Sequence, residues 1–181
     1  NRRLPRGSEV EAEFRAQIEA VVSAGIDPTH FDVHTSLPYF IPGIFKLVLK
    51  LNSEFNLPMR TLVGADLKQK SRELGRRQRM PAFLIRYFGG KLLAGMSKYG
   101  IRHPDYFISE FSNHKYRLDK NELSKILEKS LHNLNEGTTE LLTHPSKGDE
   151  KWRQVEFDVW KSRGKEIIDG LDNVELCSYS V

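Results

Sequence analysis

Along this chain the spacing of apolar residues switches repeatedly between the three- and four-residue steps of a helix and short β-branched or aromatic runs, and no other feature narrows the available folds as much. Val10, Phe14, Ile18, Val21 and Val22 mark a helix over residues 9–24, with Gly25 where that helix would end. The turn signal Ile26-Asp27-Pro28 leads into residues 29–35, which read as a strand. Pro42 suits a helix first turn, and Ile44, Leu47, Val48, Leu51 and Phe55 continue a second helix over residues 42–55. Residues 57–63 read as the next strand. Residues 66–79 are highly charged and weakly periodic, and the apolar run 81–90 ends in Gly89-Gly90, which marks a turn or hinge. Residues 105–111 read as a strand, Asp119 caps a helix with Glu122 three residues on, and Gly137 closes that helix after the stripe Leu123, Ile126, Leu127, Leu131 and Leu134. A strand over 138–143, a helix over 152–171 and a strand over 174–179 complete the order.

Helices and strands that alternate in this way predict a parallel sheet with crossover helices, an α/β class. No repeat, Gly/Ser linker or low-complexity tract divides residues 1–181, so one domain is expected. About five strands fit 181 residues, whereas a closed eight-stranded barrel takes about 250 residues. The expectation is an open α/β sheet or the later part of a barrel.

Apolar side chains make up 39% of the residues and recur along the whole length, which excludes a disordered chain. No apolar run reaches the roughly 18 residues that span a bilayer, so no membrane partner is expected. The lone Cys177 excludes an internal disulfide framework, a cysteine-rich zinc module and dithiol redox chemistry, and points to a reducing, cytoplasmic setting. Against 24 acidic residues stand 28 Lys and Arg, a net charge of +4 that does not demand a nucleic-acid partner. The chain opens on Asn1, with no apolar stretch after the basic start, so a signal peptide is not expected and a preceding segment is.

Six histidines are the candidate chemistry: His30, His34, His103, His114, His132 and His144. In a strand over 29–35 the side chains of His30, Asp32 and His34 share one face, opposite Phe31 and Val33. That row is competent to bind a metal; the same spacing also allows a buried, mutually satisfied His30–Asp32 pair. His34 lies nearest the carboxyl end of its strand, where sites in parallel α/β folds gather, and His144 stands just past the strand over 138–143. One imidazole could hold a metal while the other transfers a proton.

The stretch Gly25-Ile26-Asp27-Pro28-Thr29-His30-Phe31-Asp32-Val33-His34 resembles the Gly-x-x-Pro-Thr-His-hydrophobic-Asp-x-His signature of the YdjC-like carbohydrate deacetylases. Gln17, Leu57-Pro58-Met59-Arg60 and the run from Gly137 to Pro145 agree in order, the last resembling the family's Gly-x-Thr-Glu-Leu-hydrophobic-x-His-Pro. The resemblance implies a distorted (β/α) TIM-like barrel whose N-terminal strands are missing from this chain. It implies a metal-dependent hydrolase that removes the acetyl group from an N-acetylated sugar or oligosaccharide, with Mg²⁺ or Zn²⁺ as cofactor. His34 matches a metal ligand and His144 the general acid. Asp32 would orient a histidine, and Arg60 would contact the substrate. The family's remaining ligands, an aspartate of an Asp-Asp pair and an early histidine, fall upstream of Asn1, so the metal site of this chain alone would be incomplete. Thr35-Ser36-Leu37 stand where the family carries further histidines, a departure that bears on substrate choice and on activity.

Tyr39, Phe40, Tyr87 and Phe88 could stack on sugar rings or form core. Two other readings stay open: a catalytically impaired, sugar-binding homologue, and a module that binds anions or nucleic acid through Arg72, Arg76, Arg77 and Arg79. Such a basic run is usually a solvated helix face. The assembly admits a homodimer.

Overall fold

The computed structural model describes residues 5–33, 37–61, 82–109 and 119–179. Residues 5–33, 37–61, 82–103 and 177–179 make one compact unit, and 104–109 with 119–176 make the other. Among the described residues, four helices shape the first unit: α1 (Gly7–Ser23), α2 (Leu37–Phe40), α3 (Pro42–Glu54) and α4 (Ala82–Lys98). The apolar stripes expected on α1 and α3 do meet, with Ile18, Leu51 and Leu57 buried among Phe14, Phe31, Leu47 and Phe55. Their polar edges are joined by ion pairs. Arg15 donates to both carboxylate oxygens of Glu54 at 2.6 and 2.7 Å, and Lys50 reaches Glu11 at 2.8 Å. The hydrogen bond from Arg15 holds the Glu54 carboxyl below its ordinary value.

α1 stops where Gly25 takes φ +76°, a left-handed conformation that glycine adopts without the Cβ penalty other residues pay. The Ile26 N–H then bonds the Val21 carbonyl and the Gly25 N–H bonds that of Val22, a paired closure of the last turn. Asn56 at φ 53° and Gly100 at φ 65° close α3 and α4 in the same way.

α4 corrects one expectation. Gly89 and Gly90 mark no hinge, because the helix runs through both. Each glycine costs a helix about 1 kcal/mol relative to alanine. Burial further along α4 outweighs that local cost: Leu92 and Met96 are buried, and Gly95 sits so close to α3 that a Cβ there would meet Leu49 Cδ1 at 3.0 Å.

The strands expected over 29–35 and 57–63 are reduced, within the described residues, to one parallel bridge between Phe31 and Met59. The Phe31 N–H donates to the Pro58 carbonyl at 2.8 Å, and the Met59 N–H to that of Arg102 at 2.9 Å. Pro58 has no N–H with which to lengthen the ladder. Residues 34–35 and 62–63, the charged stretch 66–79 and the end of the strand expected over 105–111 lie outside the described residues.

The second unit is a βαβ unit followed by a further helix. β1 (Tyr106–Ile108) and β2 (Thr139–Leu141) pair in parallel, Tyr106 opposite Thr139 and Ile108 opposite Leu141, with α5 (Lys120–His132) between them in the chain. Parallel strands require such a crossover. Asp119 caps α5 as its sequence predicts, its Oδ1 accepting the N–H groups of Asn121 and Glu122. Gly137 does not close α5. The helix ends at His132, where the Asn133 side chain donates to the Lys129 carbonyl, and Gly137 belongs instead to the entry of β2.

One long helix follows β2: α6 (Lys151–Val159), a π-helical turn over Trp160–Gly164, and α7 (Lys165–Asp169). Leu123 and Leu127 of α5 pack against Val159 and Ile167, with Leu131, Leu141, Val155 and Trp160 around them. This cluster fastens the sheet to its helices. The strand expected over 174–179 is absent. Leu176 is 75% exposed, and alternating apolar residues with no strand to pair against do not make a strand.

Candidate active site

Two sets of candidate groups emerge, one in each unit. In the first, the Phe31–Met59 bridge places the next residues of the two segments, Asp32 and Arg60, level with one another and on the same side. Arg60 Nη1 donates to Asp32 Oδ2 at 2.6 Å, with the side chains only 14% and 27% exposed. Partial burial strengthens this pair relative to an ion pair in open water. Tyr39, buried, donates its hydroxyl to the Arg60 carbonyl at 2.9 Å, so Arg60 is held at its backbone as well as at its guanidinium.

His30 is exposed; its ring nitrogen meets the Thr29 hydroxyl at 3.0 Å, and the ring stacks on Tyr179 with centroids 4.3 Å apart. The Asp32 carboxylate is turned to Arg60 and His30 stands exposed, so the two do not form the buried pair that their spacing allowed. His34 lies outside the described residues, as do Arg72, Arg76, Arg77 and Arg79.

In the second unit, His144 stands three residues beyond the carboxyl end of β2. The segment is anchored at its other end by Gly137 and Thr138. Asp105 Oδ2 accepts both the Thr138 N–H and its hydroxyl at 2.9 Å, and Gly137, at φ +121°, leaves room for that carboxylate where a Cβ would lie 2.8 Å from it. The Gly-Thr of the sequence motif therefore fixes where β2 begins, and its His-Pro lies where β2 has ended.

His144 is half-buried. Its backbone N–H donates to Glu156 Oε2, and its ring meets the Trp152 ring edge-on, centroids 5.5 Å apart at 71°. Two residues on, the Ser146 N–H donates to the Arg153 carbonyl at 3.2 Å. The strap is made by α6, and sequence reasoning missed its key member. A signal was present: Glu156 is a charge within the apolar stripe Trp152, Val155, Val159.

Of the aromatic candidates, Tyr39 is core, and Tyr87 is 53% exposed with the Lys91 ammonium 4.5 Å from its ring centre. The side chains of Phe40 and Phe88 lie outside the described residues. Gln17 donates to Glu13 on its own helix. Among the described residues no three His, Cys, Asp or Glu side chains gather in a way that could hold a metal ion, so these residues do not form a metal centre by themselves. No described helix is long and apolar enough to cross a membrane.

Parallel segments linked through helices, with an ion-paired Arg60 beside one and a strapped His144 beyond the carboxyl end of another, define an α/β protein whose candidate groups sit at strand ends. The chain belongs to the YdjC-like protein family, whose model matches residues 2–166. It is 26% identical over 181 residues to a carbohydrate deacetylase of Listeria monocytogenes, covering 95% of this chain and 59% of the relative. A carbohydrate deacetylase of Halalkalibacterium halodurans is 27% identical over 146 residues, covering 81% of this chain and 47% of that one. Among solved structures, a protein of Enterococcus faecalis provisionally assigned to cellobiose-phosphate cleavage superposes with a TM-score of 0.64 at 20% identity, covering 96% of this chain and 60% of that one. That likeness concerns the fold. The chain thus spans 59% of the length of the first of the curated relatives it matches.

Proposed function

We propose that this chain is part of a carbohydrate deacetylase, a hydrolase that removes the acetyl group from an N-acetylated sugar and adopts a distorted (β/α) barrel. The observation that carries this reading is the family match over residues 2–166 together with a strapped His144 inside the family's second motif. Amide hydrolysis needs a proton for the departing nitrogen, which cannot leave as an amide anion. His144 is assigned that donation: in its imidazolium form it gives the proton to the sugar amine as the carbon–nitrogen bond breaks. Its grip at backbone and ring suits the task, because a proton donor must sit within hydrogen-bond reach of one atom of the substrate.

Arg60 is assigned to substrate oxygen, with Asp32 holding the guanidinium in place. Asp32 also keeps its assignment as the carboxylate that orients a neighbouring histidine. A divalent cation, Mg²⁺ or Zn²⁺, would supply Lewis acidity that lowers the pKa of its bound water and stabilises the oxyanion. His34 is the residue of this chain assigned to bind it.

Acetate release from N-acetylated oligosaccharides by the full-length protein tests this reading. His144→Ala is expected to lower turnover by about 10²- to 10⁴-fold, the span typical of a general acid, and to leave metal content unchanged. His34→Ala is expected to lower metal content itself. Unchanged turnover per folded molecule in His144→Ala would remove that residue from the chemistry. Sugar binding by the wild type without acetate release would favour the impaired homologue.

A further inference from the structure

We propose that Glu156 is the positioning residue of the site, a buried carboxylate that fixes His144 by its backbone while Trp152, one helical turn earlier, fixes its ring. This rests on the reading of His144 as the proton donor. Glu156 is fully buried on the apolar side of α6, where a carboxylate is expensive to desolvate unless strong hydrogen bonds compensate it. Its Oε2 accepts the His144 N–H, a bond from a backbone donor to a carboxylate acceptor and hence of the stronger, charge-assisted kind.

Residues 152 and 156 are four apart and so lie on one face of α6, which lets one helix hold one histidine at two points. The rest of the loop is tied to the same two turns. The Ser146 N–H donates to the Arg153 carbonyl, and the Gln154 side-chain amide donates to the Gly148 carbonyl. Pro145 adds a restraint from the other side, since a residue before proline is confined to extended backbone.

These contacts divide into two kinds. Those at Ser146 and Gly148 would hold any loop of this length, whereas those at Glu156 and Trp152 act on His144 itself. A carboxylate placed in an apolar stripe is a poor choice for packing alone, because a leucine of similar volume would bury there at lower desolvation cost. It is a good choice for holding one backbone N–H rigidly, and rigid support is what a proton donor needs to meet a single substrate atom repeatedly.

The experiment uses the full-length protein with Glu156→Gln, which keeps an acceptor oxygen, and Glu156→Leu, which removes it at similar volume. Glu156→Leu is expected to lower kcat by about 10- to 100-fold with KM within about twofold, and Glu156→Gln to keep kcat within about fivefold of wild type. Independently of activity, the His144 amide proton in ¹⁵N-resolved NMR is expected to be shifted downfield and protected from exchange in wild type and Glu156→Gln, and to lose both properties in Glu156→Leu. An unprotected His144 amide in the wild type overturns the proposal even if Glu156→Leu does not fold. So does unchanged kcat per folded molecule in Glu156→Leu when His144→Ala is impaired. If His144→Ala is itself unimpaired, the assignment of His144 fails, while the amide measurement still decides whether Glu156 holds the loop.

Discussion

Replacing Gly137 by alanine probes the entry of β2, and the cost can be built from two separate contributions. The first is conformational: φ of +121° belongs to a region that residues with a Cβ scarcely visit, and holding alanine there costs about 1–3 kcal/mol. The second is steric and polar. The new Cβ would stand 2.8 Å from Asp105 Oδ2, and that oxygen cannot retreat without releasing the Thr138 N–H and hydroxyl it accepts at 2.9 Å. Both bonds lie at the surface, so each contributes about 0.5–1.5 kcal/mol. The total expected loss is about 2–6 kcal/mol, large beside the total stability of a domain.

Chemical denaturation of wild type, Gly137→Ala, Asp105→Ala and the double variant measures both contributions. Asp105→Ala alone is expected to cost about 1–3 kcal/mol, the two bonds together. In the Asp105→Ala background the carboxylate is gone, so Gly137→Ala is expected to cost only its conformational part, about 1–3 kcal/mol. The two substitutions should therefore be clearly less than additive. A cost below about 0.5 kcal/mol for Gly137→Ala, the scale of an ordinary surface substitution, would refute the reasoning. Equal cost in both backgrounds would refute the steric part alone.

Asp32→Asn is expected to destabilise by about 1–3 kcal/mol, because it leaves a guanidinium only 14% exposed facing a neutral amide, and Arg60→Lys should keep little of the pairing, since an ammonium on a shorter stem does not reach the place of Nη1, 2.6 Å from Asp32 Oδ2; a double-mutant cycle on denaturation midpoints reads both. The Arg15–Glu54 pair predicts a pH dependence. Glu54 has a folded-state pKa held below 4.5 by the hydrogen bond from Arg15, so its contribution is fully present above 4.5 and is lost as pH falls through the folded value. The gap in thermal midpoint between wild type and Glu54→Gln should accordingly be constant near neutrality and shrink once pH drops below about 4.5; a gap that widens on acidification would contradict it.

What could be read from the sequence follows the range over which each feature is decided. The Asp119 cap, the Pro42 start of α3 and the Gly25 end of α1 are settled within one turn of chain, and each is where its residues predict. Gly89-Gly90 misleads because local propensity favours a break by only about 1 kcal/mol per glycine, less than burying Leu92 and Met96 on the same helix returns. The strands suffer most, since a ladder exists only where a partner in register supplies its hydrogen bonds. The six residues of 138–143 yield three that pair, and 174–179 yields none. The same logic governs the candidate site. The sequence marks Asp32, Arg60 and His144 by resemblance, yet that Arg60 faces Asp32 depends on the single register Phe31–Met59, which no spacing within either segment encodes. Glu156 is the converse case. Its oddity, a charge in an apolar stripe, is visible in the sequence, and its partner twelve residues earlier is not, because a loop that closes onto the following helix is specified by contacts at 144, 146 and 148 acting together. A buried charge within an amphipathic helix that follows a motif histidine is therefore a signal worth reading toward that histidine, and in this chain it leads from the motif to the residue that holds it.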